Sequence, residues 1–276
     1  MRTETFQTPR QLAVNVKLPR GDVDVETADV QEATVQLTGS TDRARDQIER
    51  AEVRLDNHAD HDELIVDTDT EDFGWSGGRV KLSISLGRRD DVTVRIVVPH
   101  GTMLRAETGS ADIRARGTYA ELETRGASGD VSIDDVERDA AVKIASGDVR
   151  IGTVGGSLKV QTAAGDLMSG PVGGNAEVKT AAGDVNLAEV GGSVTIHSAS
   201  GDLRVGAVTQ GKVELKSVSG DMLVGVRRGS RVWMDVKTVT GDASSDLDSG
   251  LDDDGEGPLV ELKATAMSGD IKIVRA

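Results

Sequence analysis

The sequence predicts an all-β protein, a single-stranded β-solenoid (β-helix) with coils of about 18 residues, preceded by an N-terminal all-β portion. Three observations support this fold class. An aspartate recurs every eighteen residues from Asp112 to Asp202, apolar residues alternate with polar ones between the aspartates, and glycines stand where the alternation stops. A repeat of this length is one supersecondary unit, which buries its apolar face only by stacking on its neighbours.

Each coil is predicted to consist of two short strands joined by two tight turns. After Asp148, Val149 and Ile151 alternate with polar positions, and the pair Gly155-Gly156 then ends the run. Period-two alternation is typical of a strand with one buried face, and paired glycines are typical of a turn. Successive coils of this kind lie about 4.8 Å apart.

The second turn of each coil carries Gly-Asp, preceded by small residues. The predicted ladder of turn residues is Asp112, Gly129, Asp130, Gly147, Asp148, Gly165, Asp166, Gly183, Asp184, Gly201, Asp202, Gly220 and Asp221. Glycine adopts positive φ without a Cβ clash, and an aspartate side chain accepts from backbone N–H groups that a turn leaves unpaired. We therefore favour a structural role, and expect a β-branched residue at Gly165 to cost roughly 1–3 kcal/mol. The alternative is a column of carboxylates that binds cations such as calcium.

Residues 1–100 contain strand-like runs without the eighteen-residue interval, and we predict that they form a β region capping the solenoid of residues 101–276. Residues 41–50 are the one stretch here that suits a short helix, with Ile48 as its sole large apolar residue. Residues 244–258 are rich in Asp, Ser and Gly, which predicts a disordered acidic loop. Alternation resumes in residues 260–274, which we assign to the last coil.

The composition argues against several classes of function. The net charge is −15, much of it in two acidic stretches, and no basic stripe is present, which argues against a nucleic-acid partner. No cysteine is present, so disulfide and thiol chemistry are excluded. We see neither an apolar run long enough to span a membrane nor a secretory signal, so we expect a cytoplasmic protein without direct membrane insertion.

We predict that the protein is not an enzyme and has no catalytic, cofactor or metal site. Its four histidines, His58, His61, His100 and His197, lie in three separate regions without a metallopeptidase motif. Some β-helices are polysaccharide lyases, which cluster carboxylates and basic residues on one outward face. Here the outward column places arginines at 114, 150 and 204, and we expect no acid beside them.

The aromatic residues are few, five in 276 residues, and two of them stand in an acidic, glycine-rich stretch. These two, Phe73 and Trp75, are the candidate contact for a protein partner, because exposed aromatic side chains often anchor such interfaces. The alternative is a loop that folds back over the N-terminal strands.

A family resemblance is carried by the stretch VRIVVPHGTML at residues 94–104, followed by TGSADI at 108–113 and by the Gly-Asp repeats. This pattern resembles the bacterial Toastrack family of β-strand-repeat proteins, also labelled "putative adhesin". The resemblance implies a β-solenoid fold, an association with envelope-stress or phage-shock type membrane components, and no established enzyme activity.

These observations together predict a non-enzymatic scaffold or protein-interaction module, acting in a cytoplasmic assembly connected to envelope stress. Its protein partners are unidentified, and membrane-stress components are the candidates that the resemblance suggests. One alternative is a cell-surface adhesin exported by an unrecognised route. Another is a structural protein that associates with itself through the edges of the solenoid.

Overall fold

The computed structural model describes residues 1–58, 60–68, 91–247 and 257–276. It confirms the predicted fold class, because the chain is almost entirely β-structure and its repeats stack as parallel coils. The contacts divide the chain into two compact units, Met1–Gly129 (unit 1) and Asp130–Ala276 (unit 2). The boundary near residue 100 stays a prediction.

Unit 1 contains eight strands and one helix among its described residues. They are β1 Arg2–Gln7, β2 Leu12–Ala28, β3 Glu32–Gly39, α1 Asp42–Arg50, β4 Glu52–Asn57, β5 Asp62–Asp67, β6 Val92–Pro99, β7 Met103–Tyr119 and β8 Glu121–Ser128. The long strand β2 is central. It pairs in parallel with β7 along most of its length, while β5 flanks its first half and β6 its second half.

Antiparallel strands and the helix border this parallel centre of unit 1. Strand β4 pairs with β5, β3 pairs with β6, and β1 pairs with β3, all antiparallel. Helix α1 confirms the predicted helix: Thr41 accepts from the Ala44 N–H as its N-cap, and Ala44 and Ile48 are buried. The Arg2 guanidinium donates to the carbonyl oxygens of Ile48 at 3.0 Å and Ala51 at 2.7 Å, which ties β1 to the end of the helix.

Unit 2 is a stack of coils, each built from two strands. Its strands are β9 Val131–Val136, β10 Ala140–Lys143, β11 Val149–Val154, β12 Leu158–Gln161, β13 Leu167–Ser169, β14 Ala176–Lys179, β15 Val185–Val190, β16 Val194–His197, β17 Leu203–Val208, β18 Gly211–Ser219, β19 Met222–Val226, β20 Arg231–Thr240, β21 Ala243–Ser245, β22 Leu259–Ser268 and β23 Ile271–Arg275.

The eighteen-residue repeat appears directly as strand register. Val149 lies opposite Val131 on one side and Leu167 on the other, and Leu167 in turn lies opposite Val185. These inward side chains are all buried, with at most 2% of their surface exposed. Burying each such side chain contributes roughly 1.5–3 kcal/mol, so the stacked columns of valine, leucine and isoleucine form the core of unit 2.

The order of the final coils corrects the sequence-based assignment. The coil of β22 and β23 is not the last in space, because β22 lies between β18 and β20, and β23 lies between β19 and β21. This placement buries Val260, Leu262 and Ala264 of β22 fully, and burial of apolar side chains stabilises the fold. The coil of β20 and β21, which comes earlier in the chain, therefore ends the stack.

Part of the predicted acidic loop at residues 244–258 lies outside the described residues, namely 248–256. Of the remainder, residues 244 and 245 belong to strand β21, which pairs in parallel with β23. Within the described ranges, no helix has the length and apolar character that crossing a bilayer requires.

Candidate protein-interaction surface

The Gly-Asp corners hold the coils of unit 2 at their closest approach. Gly147, Gly165 and Gly183 all have φ between 118° and 129°, a region that favours glycine. A Cβ on Gly165 would lie 2.1 Å from the Gly147 carbonyl oxygen of the neighbouring coil. The corner therefore requires glycine for two reasons: its positive φ and the small space between the coils.

The aspartates form a continuous hydrogen-bonded ladder along one edge of unit 2. In each rung, the Oδ1 atom of one aspartate accepts from the backbone N–H of the aspartate in the next coil, at 2.8–3.0 Å. The ladder runs through Asp130, Asp148, Asp166, Asp184, Asp202, Asp221, Asp270 and Asp242. Among the described residues, nothing donates to the Asp242 carboxylate, so Asp242 is the terminal rung.

The remaining members of the predicted turn ladder lie as follows. Gly129, Gly201 and Gly220 also have positive φ, whereas Asp112 lies inside strand β7 of unit 1. Sequence reasoning missed a related corner in unit 1: Gly21 has φ +128° and pairs with Ala111. The Gly-Asp pair at residues 21–22 could have indicated this corner, but it lies outside the eighteen-residue series and was therefore overlooked.

The expectation that the outward arginines have no acid beside them is wrong. In unit 1, Arg114 contacts Asp22 Oδ1 and Asp112 Oδ2, both at 3.2 Å, and in unit 2 Arg150 contacts Asp148 Oδ2 at 3.1 Å. These arginines lie two residues after an aspartate on the same strand face, because side chains alternate along a strand. They therefore neutralise part of the carboxylate column.

At a second outward position of the repeat, the size of the apolar side chain changes along unit 2. The residue three positions before the corner aspartate is alanine in four successive coils, at 145, 163, 181 and 199, and all four are exposed. In the last three coils the same position holds Val218, Met267 and Val239, with 51%, 58% and 80% of their surface exposed. We call these three residues the corner stripe.

The corner stripe is continuous, because its members lie on adjacent strands. The pairs Ser217↔Ala266 and Ser219↔Ser268 place Val218 beside Met267, and the matching pairs of β20 place Val239 on the other side of Met267. Three large apolar side chains thus stand in contact with solvent across three strands. Such a patch marks an interaction site more often than isolated exposed apolar residues do.

The end coil adds a second apolar area next to the corner stripe. Among the described strands β20 pairs only with β22, so no described strand pairs with its other edge, which we call the open edge. Met234 occupies an inward position, opposite the buried Leu262, yet it is 41% exposed because no coil among the described residues covers it. Trp233 on the outward face is 57% exposed. We call the corner stripe together with Trp233 and Met234 the end-coil surface.

Charged pairs surround the end-coil surface. Lys237 contacts Asp235 at 2.9 Å, and its hydrogen bond holds the pKa of that carboxyl below its usual value. On β18, hydrogen bonds from Lys212 and Lys216 lower the pKa of Glu214 from 4.5 to about 2. The end-coil surface is therefore an apolar area beside two carboxylates, Glu214 and Asp235, that are ionised at neutral pH.

Unit 1 holds a second cluster of titratable groups, on the turn between β4 and β5. The His58 and His61 rings stack with centroids 4.9 Å apart. One nitrogen of each ring contacts a carboxylate: His58 Nε2 contacts Glu63 at 3.0 Å, and His61 Nδ1 contacts Asp60 at 2.8 Å. The hydrogen bond from His61 lowers the pKa of Asp60. Even so, no three His, Cys, Asp or Glu side chains in the described part of the chain are arranged to hold a metal ion.

The candidate partner residues Phe73 and Trp75 lie outside the described residues, so they stay a prediction. The end-coil surface was not identified from the sequence. Its signal was nevertheless present, as the change from alanine to valine and methionine in one column of the repeat.

Parallel two-stranded coils, glycine corners and a ladder of aspartates define the class of protein, a β-solenoid repeat protein. Within that class, the chain belongs to the Toastrack DUF4097 family, whose model matches residues 10–274. No functionally curated protein matches it.

The solved structures that are similar to this chain have low sequence identity to it. A "putative adhesin" from Bacteroides fragilis is 12% identical, with a TM-score of 0.42, over 99% of this chain and 96% of that one. One from Parabacteroides distasonis is 11% identical, with a TM-score of 0.38, over 98% and 96%. A "putative cell adhesion protein" from Clostridium sporogenes is 11% identical, with a TM-score of 0.28, over 100% and 99%.

Proposed function

We propose that this protein is a non-enzymatic scaffold or protein-interaction module that binds a protein partner through its end-coil surface. The observation that carries the proposal is the corner stripe. Four coils of unit 2 keep a small alanine at this exposed position, whereas the last three coils place Val218, Met267 and Val239 there. Large exposed apolar side chains are costly in water, and covering them with a partner recovers that free energy.

The charges beside the corner stripe indicate the chemistry of the partner. The exposed ladder residues Asp221, Asp270 and Asp242 each follow a stripe residue by three positions. A partner that places apolar side chains over the stripe and lysine or arginine side chains over the ladder would satisfy both features. Opposite charges at the rim of an interface favour the correct partner and speed association.

We further propose that this partner belongs to a cytoplasmic assembly linked to the bacterial envelope-stress response. This finer proposal is supported by family resemblance alone, because fold by itself does not specify function. Cell fractionation distinguishes it from export as a surface adhesin.

The test is a tagged pull-down from native cells, crosslinked and analysed by mass spectrometry, with membrane and soluble fractions kept apart. The variant replaces Val218, Met267 and Val239 with alanine, which restores the residue of the four preceding coils. We expect it to melt like the parent, because the three side chains are exposed, and to lose the partner that the parent recovers.

The matched control is Met168→Ala. Met168 is 56% exposed, close to the 58% of Met267, but it lies on β13, away from the end coil. This variant should retain the partner. Recovery of the same partner by the triple-alanine variant would show that the corner stripe does not bind it, and would refute the proposal.

A further inference from the structure

The open edge of β20 has a sequence that complements itself when two copies run antiparallel. Its outward residues are Arg231, Trp233, Asp235, Lys237 and Val239, and its inward residues include Met234 and Val236. We infer that a second copy of this chain binds here, with the two β20 strands paired antiparallel about a two-fold axis at Val236. This inference rests on the proposed function, since it names an occupant for part of the end-coil surface.

The register at Val236 pairs four of the five outward residues with suitable neighbours; Arg231 lies beyond the paired part of the strand. Trp233 lies opposite Val239 of the second copy. This pairing covers two of the most exposed apolar side chains among the described residues, at 57% and 80%. Asp235 lies opposite Lys237 of the second copy, which adds an ion pair between chains to the one within each chain. Two-fold symmetry makes each of these pairs occur twice.

Neighbouring registers are much less favourable. With the axis at Asp235, the two Asp235 carboxylates face each other, and with the axis at Met234, Arg231 faces Lys237 of the second copy. Like charges directly opposite each other destabilise a strand pair. Charge complementarity therefore selects the register at Val236.

Backbone geometry is compatible with the same axis. Arg231 donates its N–H to the Pro258 carbonyl at 2.9 Å, so the backbone groups of Arg231 face β22. Because these groups alternate sides along a strand, those of Val236, five residues later, face the open edge. The two copies of Val236 can then exchange both backbone hydrogen bonds across the axis.

A dimer of this kind also covers the end of the core. Met234 and Val236 are inward residues that no described coil covers, and the second copy places its own inward residues over them. Exposed strand edges are generally blocked in soluble proteins, because they pair with other chains. Here the paired chain is a copy of the same protein.

The test is a charge-reversal experiment read by sedimentation equilibrium over a concentration series. Asp235→Lys and Lys237→Asp each turn both interchain ion pairs into like-charge pairs, and each should weaken dimerisation roughly tenfold or more. An equimolar mixture of the two variants restores opposite charges at both positions. The mixture should therefore form a heterodimer with an affinity close to that of the parent.

The matched control is Lys179→Asp. Lys179 contacts Glu177 at 2.8 Å with the same two-residue spacing as Lys237 and Asp235, but it lies on β14 in the middle of the stack. This variant changes the net charge of the chain by the same amount as Lys237→Asp, and it should dimerise like the parent. In a Trp75→Phe background, emission from Trp233 should also shift to the blue as the dimer forms.

Two results would overturn the inference. One is a parent chain that stays monomeric up to roughly millimolar concentration. The other is a mixture of the two charge variants that dimerises no better than either alone, which would exclude this register. If the chain is monomeric and still recovers a partner through the corner stripe in the pull-down, the dimer is refuted and the proposed function stands.

Discussion

Replacing Gly165 with alanine tests the physical account of the coil stack most directly. Gly165 has φ +121°, and an alanine Cβ there would lie 2.1 Å from the Gly147 carbonyl oxygen and 2.6 Å from its carbon. Both atoms belong to backbone, so no side chain can rotate away. Reaching even 3.0 Å requires the two coils to separate by about 0.9 Å at this corner.

The expected loss of stability has two parts. Holding a non-glycine residue at this φ costs roughly 1–2 kcal/mol. The separation also stretches the hydrogen bonds around the corner, including the 3.0 Å bond from the Asp166 N–H to Asp148 Oδ1 and the 3.1 Å bond from the Gly147 N–H to the Ala164 oxygen. At roughly 1 kcal/mol for each bond, the total loss is about 3–4 kcal/mol. This exceeds the roughly 1–3 kcal/mol expected from the sequence for a β-branched residue, because that value counted only the turn conformation and not the clash between coils.

Two other glycines separate these contributions. Gly229 has φ +84° with no atom within 4 Å of an added Cβ, so Gly229→Ala carries only the backbone strain. Gly173 lacks positive φ, but its Cβ would lie 2.3 Å from the Gly155 oxygen, so Gly173→Ala carries only the clash. Both variants should lose less stability than Gly165→Ala.

The assay is urea unfolding followed by circular dichroism, with the free energy of unfolding extrapolated to zero denaturant. Gly165→Ala should lose the most free energy of unfolding. Gly173→Ala should lose about 2 kcal/mol and Gly229→Ala about 1 kcal/mol. If Gly165→Ala unfolds at the urea concentration of the parent, the explanation by close approach and positive φ is wrong.

Three further predictions use the same unfolding assay. Asp184→Ala should cost about 1 kcal/mol, because Asp184 accepts from the Asp202 N–H at 2.8 Å, and Asp184→Asn, which keeps an acceptor, should cost less. Glu214 has a pKa lowered from 4.5 to about 2, so its ionised form stabilises the fold above pH 4.5. The free energy of unfolding that Glu214→Gln loses relative to the parent should therefore shrink as the pH falls towards about 2, and a loss that stays constant with pH would contradict this. Tyr119→Phe should cost about 1–2 kcal/mol, because it leaves the Val25 carbonyl without the 2.7 Å bond from the buried hydroxyl.

The sequence predicted the repeat unit of this protein because the constraints that define a coil are local. Alternation fixes which residues of β11 or β15 face inward, and a glycine before each aspartate fixes where the chain turns. A short helix was likewise predicted over residues 41–50 with Ile48 as its sole large apolar residue, and the structure adds Thr41 as its N-cap.

The sequence did not predict what depends on contacts between distant segments. The placement of β22 between β18 and β20 joins residues about fifty positions apart, and local alternation is the same whichever coil lies outside. The ion pairs of Arg114 and Arg150 were missed because the ladder aspartate lies on the same strand face, a relation that the outward column by itself does not display.

The way in which coils stack explains which features the sequence determined and which only the tertiary structure decided. By itself the sequence determined the fold class and the coil length, because both are specified by the pattern within one repeat. Only the tertiary structure decided which coil ends the stack, because every coil offers similar backbone edges and the choice depends on which apolar face most needs covering. That choice leaves the inward side chain of Met234 in contact with solvent, beside the corner stripe to which we assign the function.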